Sequence, residues 1–170
     1  MLRIVLTICL ALCLFSVCAA QNADNNSGNK GKVIFKAKTE FPVQLQTELD
    51  IGKNKIGDDA NFILTEEVSG EGEKLEKGSE LYGRIVGIEK ISAKNTTSKV
   101  CILFDFIKKG EQFLSLNANI ILIEGSVEDI KLAASTNVSG GTDLSLKSKD
   151  IQVSKGKIFR VRLMKDITVQ

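Results

Sequence analysis

The chain contains no histidine and no tryptophan. Without histidine, a Ser-His-Asp triad, an imidazole proton shuttle and a zinc site of the usual kind are all excluded. Proline occurs once, at Pro42, and tyrosine once, at Tyr82. So few aromatic platforms weigh against a sugar site. Cysteine is scarce once its positions are read. Cys9, Cys13 and Cys18 fall in the apolar opening stretch, which leaves only Cys101. One cysteine forms no internal disulfide, so the fold must rest on its core. Charge of one sign is also missing: 23 Lys+Arg face 21 Asp+Glu, and Arg3 belongs to the opening stretch. This balance excludes the basic excess of a nucleic-acid-binding face.

The only long apolar run is Ile4–Val17. It follows Arg3 and ends at Cys18-Ala19-Ala20, with small residues where a signal peptidase reads. It is short for a membrane span. We therefore expect a signal peptide over 1–20, with cleavage after Ala20. Retention as an anchor and lipidation of Cys18 are the alternatives, and they are the expected routes to a membrane. Residues 21–32 (QNADNNSGNKGK) have no periodicity and read as a flexible tether. Residues 33–170 form the expected single domain, long enough to bury a real core.

Within that domain, strict alternation appears twice. Phe41, Val43, Leu45, Leu49 and Ile51 alternate with polar residues or Pro42, and Phe159, Val161, Leu163, Ile167 and Val169 repeat the pattern. Period two buries one face of a strand and wets the other. Two such strands near opposite ends of the domain predict that its ends meet and a sheet closes. Val33–Lys38, Phe62–Val68, Leu81–Ile91, Val100–Ile107 and Gln112–Glu124 supply further strands. In the last of these Leu114, Leu116, Ala118, Ile120 and Leu122 should share a face. Gly83 and Gly87 should mark bends or close backbone approach. Lys109-Gly110 should turn a hairpin, and Pro42 should sit at an edge or a strand start. Ser126 followed by Asp129 resembles a capping box, which predicts a short helix over Val127–Ala134. The expected fold is all-β: a small antiparallel barrel or sandwich of about seven strands with one short helix.

Candidate chemistry is thin. Glu66-Glu67 would point to opposite faces of a strand. Asp58-Asp59 lacks the acidic spacing of a calcium loop. Cys101, in VCILFDFI, reads as a buried small hydrophobe among Val100, Ile102, Leu103 and Phe104. Arg160 and Arg162 share the wet face of the last long strand, and Arg84 points outward from an earlier one. These three are the candidate contacts for an acidic partner, although solvated charges guarding an edge strand would look the same. No catalytic, cofactor or metal residues are expected, and the chain does not read as an enzyme.

Three stretches, in order, resemble the TrbI-like family of conjugation and type IV secretion β-barrel proteins. LEKGSELYGRIV (75–86) is similar to the family's Leu-x-x-Gly-Ser-x-Leu-x-Gly strand. KVCILFDFIKKGEQFLSLNA (99–118) is similar to the hairpin that follows it. DIQVSKGKIFRVRLMKDITV (150–169) is similar to the closing strand. The resemblance spans about Phe35–Gln170 and implies an envelope barrel with protein partners or self-association. Family channel members carry a proline-rich linker and a long apolar hairpin. Here proline occurs once, and Gly125–Lys149 is too polar to cross lipid. The reading is thus an exported bacterial structural or interaction module, periplasmic or outer-membrane associated and related to secretion or conjugation channel components. The alternative is a secreted barrel that binds a small ligand or glycan.

Overall fold

The computed structural model describes residues 31–125 and 129–169. The expected leader, the Cys18 lipidation site, most of the tether and residues 126–128 lie outside the described residues. Fifteen strands form among those described, and no helix. In chain order they are β1 (Lys32–Phe35), β2 (Glu40–Leu45), β3 (Leu49–Asp50), β4 (Phe62–Leu64), β5 (Val68–Ser69), β6 (Lys74–Leu75), β7 (Glu80–Glu89), β8 (Thr97–Lys109), β9 (Gln112–Ser115), β10 (Ala118–Ile123), β11 (Lys131–Ala134), β12 (Gly141–Lys147), β13 (Gln152–Val153), β14 (Ile158–Leu163) and β15 (Ile167–Val169).

The two alternating segments are direct neighbours. β2 pairs antiparallel with β14, with Phe41 opposite Val161 and Val43 opposite Phe159. All six inward residues of this pair, Phe41, Val43, Leu45, Phe159, Val161 and Leu163, are buried. Each segment is broken after its first part, however. Leu49 and Asp50 leave β2 to pair with β13, and Ile167–Val169 leave β14 to pair with β1. The ends of the domain therefore meet twice, once in the barrel and once in a small outlying pair.

The barrel path runs β10-β14-β2-β4-β7-β8-β12-β11, with β9 pairing to β8. β9 and β10 are one run of chain that changes partner. β9 lies on β8, with Phe106 opposite Ser115, and Leu116 N–H still donates to Asp105 O at 3.0 Å. β10 then lies on β14, with Ala118 opposite Leu163. This crossing run draws the two ends of the path together and nearly closes the barrel. Where the ladder stops, a side chain bridges: Ile120 N–H donates to buried Thr142 Oγ1 at 2.9 Å. The interior is solid. Phe62 of β4 packs against Phe104 of β8 at 5.3 Å and edge-on against Phe159 of β14 at 5.4 Å. Rings from three strands thus fill the barrel.

Three details correct the sequence reading, and a fourth bears it out. The helix expected at Val127–Ala134 is absent over its described part. Lys131–Ala134 is a strand, paired residue for residue with Thr142–Ser145. So short a helix would be marginal by itself, and ladder pairing with β12 outcompetes it. Leu122 does not share the face of Ile120. A bulge between them shifts the phase, so Ile120 and Ile123 are buried while Leu122 is 47% exposed. The arginine-bearing strand β14 is not an edge strand; it lies between β10 and β2. Finally, the long strand β7 needs two bulges, at Tyr82/Gly83 and Ile85/Gly87, to follow β8 around the barrel. At Gly83 a Cβ would meet Ala60 O at 2.9 Å and Leu103 O at 3.0 Å, the close approach the glycine implied. Pro42 falls just beyond the β2–β4 ladder, which ends at Val43 opposite Leu64.

Candidate interaction surfaces

The outward arginines are each held by a carboxylate. Arg84 Nε lies 3.0 Å from Asp105 Oδ2. Arg160 reaches sideways to Glu124 at 3.3 Å, and Arg162 reaches the other way to Glu40 at 2.6 Å. The two directions follow from the topology: Glu124 ends the β10 side and Glu40 begins β2, the two neighbours of β14. Arg160 and Arg162 therefore share a face, as expected, but Arg84 stands three strands away in the path order. The structure does not bring the three together. As exposed pairs they add roughly 0–1 kcal/mol each to stability. An acidic partner would have to displace a carboxylate already in place.

Cys101 is buried, but on the other side of the sheet from the one expected. Val100, Ile102 and Phe104 enter the barrel core, whereas Cys101 falls between them and faces out. Its cover is local. Asp143 stands opposite on β12, Gly87 opposite on β7, and Ser135 and Val138 come from the β11–β12 turn. A cleft of about 210 Å³ opens here. Burial pushes the thiol up to about 11, against a weaker opposing hydrogen bond with Ser135. Burial also pushes the Asp143 carboxyl up, but hydrogen bonds from Lys99, Cys101 and Ser135 outweigh it and hold the carboxyl below its ordinary value. Lys99 Nζ sits 2.9 Å from Asp143 and 3.7 Å from Glu89. Hydrogen bonding to Asp143 raises the lysine in turn. Arranged this way, the group is a clamp between β8 and β12. The thiol stays protonated at neutral pH, so it is a poor nucleophile.

The feature that sequence reasoning missed is an aromatic cluster on the outer surface. Tyr82 of β7, Phe106 of β8 and Phe113 of β9 pack together, with centroids 4.7 Å apart for Tyr82–Phe106 and 5.1 Å for Phe106–Phe113. Phe113 is 60% exposed. Tyr82 also donates its hydroxyl to Glu80. Part of the cluster was legible. The tight turn at Gly110 sets Lys108 opposite Phe113 and Phe106 opposite Ser115, which places both phenylalanines on one face. Tyr82 joins them only through the bulged register with β7, which no local pattern encodes.

No protein-family model matches the chain, and no curated protein is significantly similar to it. Among solved structures, ComB10 of the Com type IV secretion system of Helicobacter pylori is similar at 10% identity, with a TM-score of 0.49. The match covers 82% of this chain and 92% of that one.

Proposed function

We propose that this protein is an exported, non-catalytic interaction module of the bacterial cell envelope that binds protein partners through the outer wall of its barrel. The observation that carries this reading is the exposed cluster Tyr82–Phe106–Phe113. Three of the chain's few aromatic rings lie outside a core that could have used them, and exposed aromatic clusters mark contact surfaces. The solid interior supports the same reading over a ligand held in the barrel mouth, because Phe62, Phe104 and Phe159 occupy that space. Steep angles between the surface rings, 63° and 87° for the two pairs involving Phe113, favour a knobbed protein contact over a flat sugar platform. The order of the three TrbI-like stretches in the sequence motivates a relation to secretion or conjugation channel components.

The test is site-specific photo-crosslinking in the native host, with the photoreactive residue at position 113 and a control at Thr168 on β15. Recovery of a discrete envelope-protein adduct from position 113, lost in Phe106→Ser, is the expected result. No adduct, or a protein confined to the cytoplasm, would overturn the proposal.

A further inference from the structure

We infer that β1 is traded between two copies of this chain, each seating its Lys32–Phe35 strand on β15 of the other. The inference goes beyond the interaction-module reading and does not rest on it. β1 and β2 follow one another in the chain, yet they belong to different sheets. β1 pairs with β15, whereas β2 pairs with β14 and β4. No ladder joins the two. What ties β1 to its own barrel is the turn between them and the site that β1 occupies. β1 is the first strand of the domain, so a trade needs a single crossing and threads no later element.

The connecting turn, Lys36 to Thr39, is short and holds an unfavourable residue. Lys38 has a φ of 72°, in the left-handed region that costs a lysine free energy and a glycine almost none. The bonds that close the turn both end on the carbonyl of exposed Lys36: from Thr39 N–H at 3.2 Å and from the Thr39 hydroxyl at 2.7 Å. The other bonds run to the barrel and not across the turn. Lys38 N–H donates to Leu163 O at 2.7 Å, and Leu163 N–H donates to Thr39 O at 2.9 Å, which extends the β2–β14 ladder. Straightening the chain at Lys36–Lys38 therefore releases the left-handed lysine and gives up only bonds that water can replace. A short hinge loop under strain invites exchange of the strand it carries.

The site itself selects the occupant. Ile34 and Phe35 are fully buried, so β1 cannot leave without a replacement. Gly31 lies against Val169 O, and Gly70 lies against Ile34 O and the Phe35 ring; neither position has room for a side chain. Glu71 N–H also donates to Ile34 O at 2.8 Å. A foreign segment would have to reproduce the glycine and the apolar pair in the same order. A second copy of this chain meets those demands by construction and remakes each contact.

The test mixes two full-length chains of different tag length, one carrying Val33→Cys and the other Thr168→Cys, both with Cys9, Cys13 and Cys18 replaced by serine. Val33 and Thr168 stand opposite each other in the β1–β15 register, so a disulfide joins the two chains only where β1 of one lies on β15 of the other. The mixture is concentrated, warmed to just below its melt, cooled and oxidised. A disulfide-linked heterodimer on a non-reducing gel is expected, and Val33→Cys mixed with Lys147→Cys should give none. Lys38→Gly relaxes the turn and, with two hinges in each dimer, should lower the yield about tenfold or more. Lys38→Asn is the substitute if the glycine variant melts early. Inserting Gly-Ser-Gly-Ser after Ala37 should lower the yield too, and deleting Ala37 should raise it. Absence of the heterodimer, an equal yield from the Lys147→Cys control, or indifference to Lys38→Gly would each overturn the inference. None of these results bears on crosslinking at Phe113, and at the Thr168 control the trade adds only a dimer of the chain itself.

Discussion

Neighbouring residues in this barrel experience opposite environments, and the consequences are measurable. Leu163 is buried in the core, while Arg162 beside it pairs with Glu40 at the surface. Leu163→Asp places an unpaired charge in the core and should cost about 4 kcal/mol or more. Arg162→Asp sets like charges against each other in water and should cost only about 0.5–1 kcal/mol. Thermal melts followed by circular dichroism compare the two; equal losses would refute the inside–outside assignment. Cys101 offers a second test. With its thiol raised to about 11, alkylation of folded protein at pH 8 should be slow and should accelerate in denaturant. The linkage has a definite sign. A thiol whose pKa is higher when folded than when unfolded contributes no penalty at neutral pH. It destabilises the fold as pH rises from about 9 towards 11, because the unfolded chain ionises first. Fast labelling of native protein at pH 8 would contradict the burial. The sequence reading made Cys101 buried, and this holds, but it assigned the wrong neighbours; its unreactivity is what the labelling tests. Alternation alone would have set Cys101 opposite to Val100 and Ile102.

At the scale of elements, β14 matters most because it is bonded on both sides, to β10 and to β2. Ending the chain after Gly156 removes β14 and β15 together. Phe159, Val161, Leu163 and Ile167 then vanish from the core. Each such side chain contributes about 1.5–3 kcal/mol when buried, against about 5–15 kcal/mol for a whole domain. The truncated protein should show no cooperative melt; a β-type transition near the wild-type temperature would disprove the closed architecture. Strand existence was largely legible, because alternation is local. Strand limits were not. The runs 41–51 and 159–169 continue their alternation through a break, since the pattern records which face is wet and not which neighbour a residue bonds. The helix expectation failed for a related reason. A capping pattern states a local preference, and pairing with β12 is a long-range term.

For the whole molecule, closure rests on a seam that is only partly laddered. The run through β9 and β10 stitches β8 to β14, and Thr142 bridges what remains by accepting from Ile120 N–H. Asn119, with its amide nitrogen turned towards Gly140, adds a donor to that carbonyl at 3.2 Å. Thr142→Val keeps the shape but leaves a buried N–H without a partner, which should cost about 1–3 kcal/mol. Hydrogen exchange should then accelerate at the Ile120 amide ahead of the β2–β14 ladder. Uniform acceleration, or none, would show that the seam is not the weak line of the barrel.

From the sequence alone came the all-β class, the inward set headed by Phe41, Val43, Phe159 and Val161, and the meeting of the two ends. Each follows from period-two alternation, which depends only on the geometry of an extended chain. Only the tertiary structure decided that Arg84 stands apart from Arg160 and Arg162, that Leu122 faces water, that Cys101 lies under Asp143, and that Tyr82 joins Phe106 and Phe113. Those facts depend on register, and a single bulge or one-residue slip moves a side chain to the other face without altering the pattern along the chain.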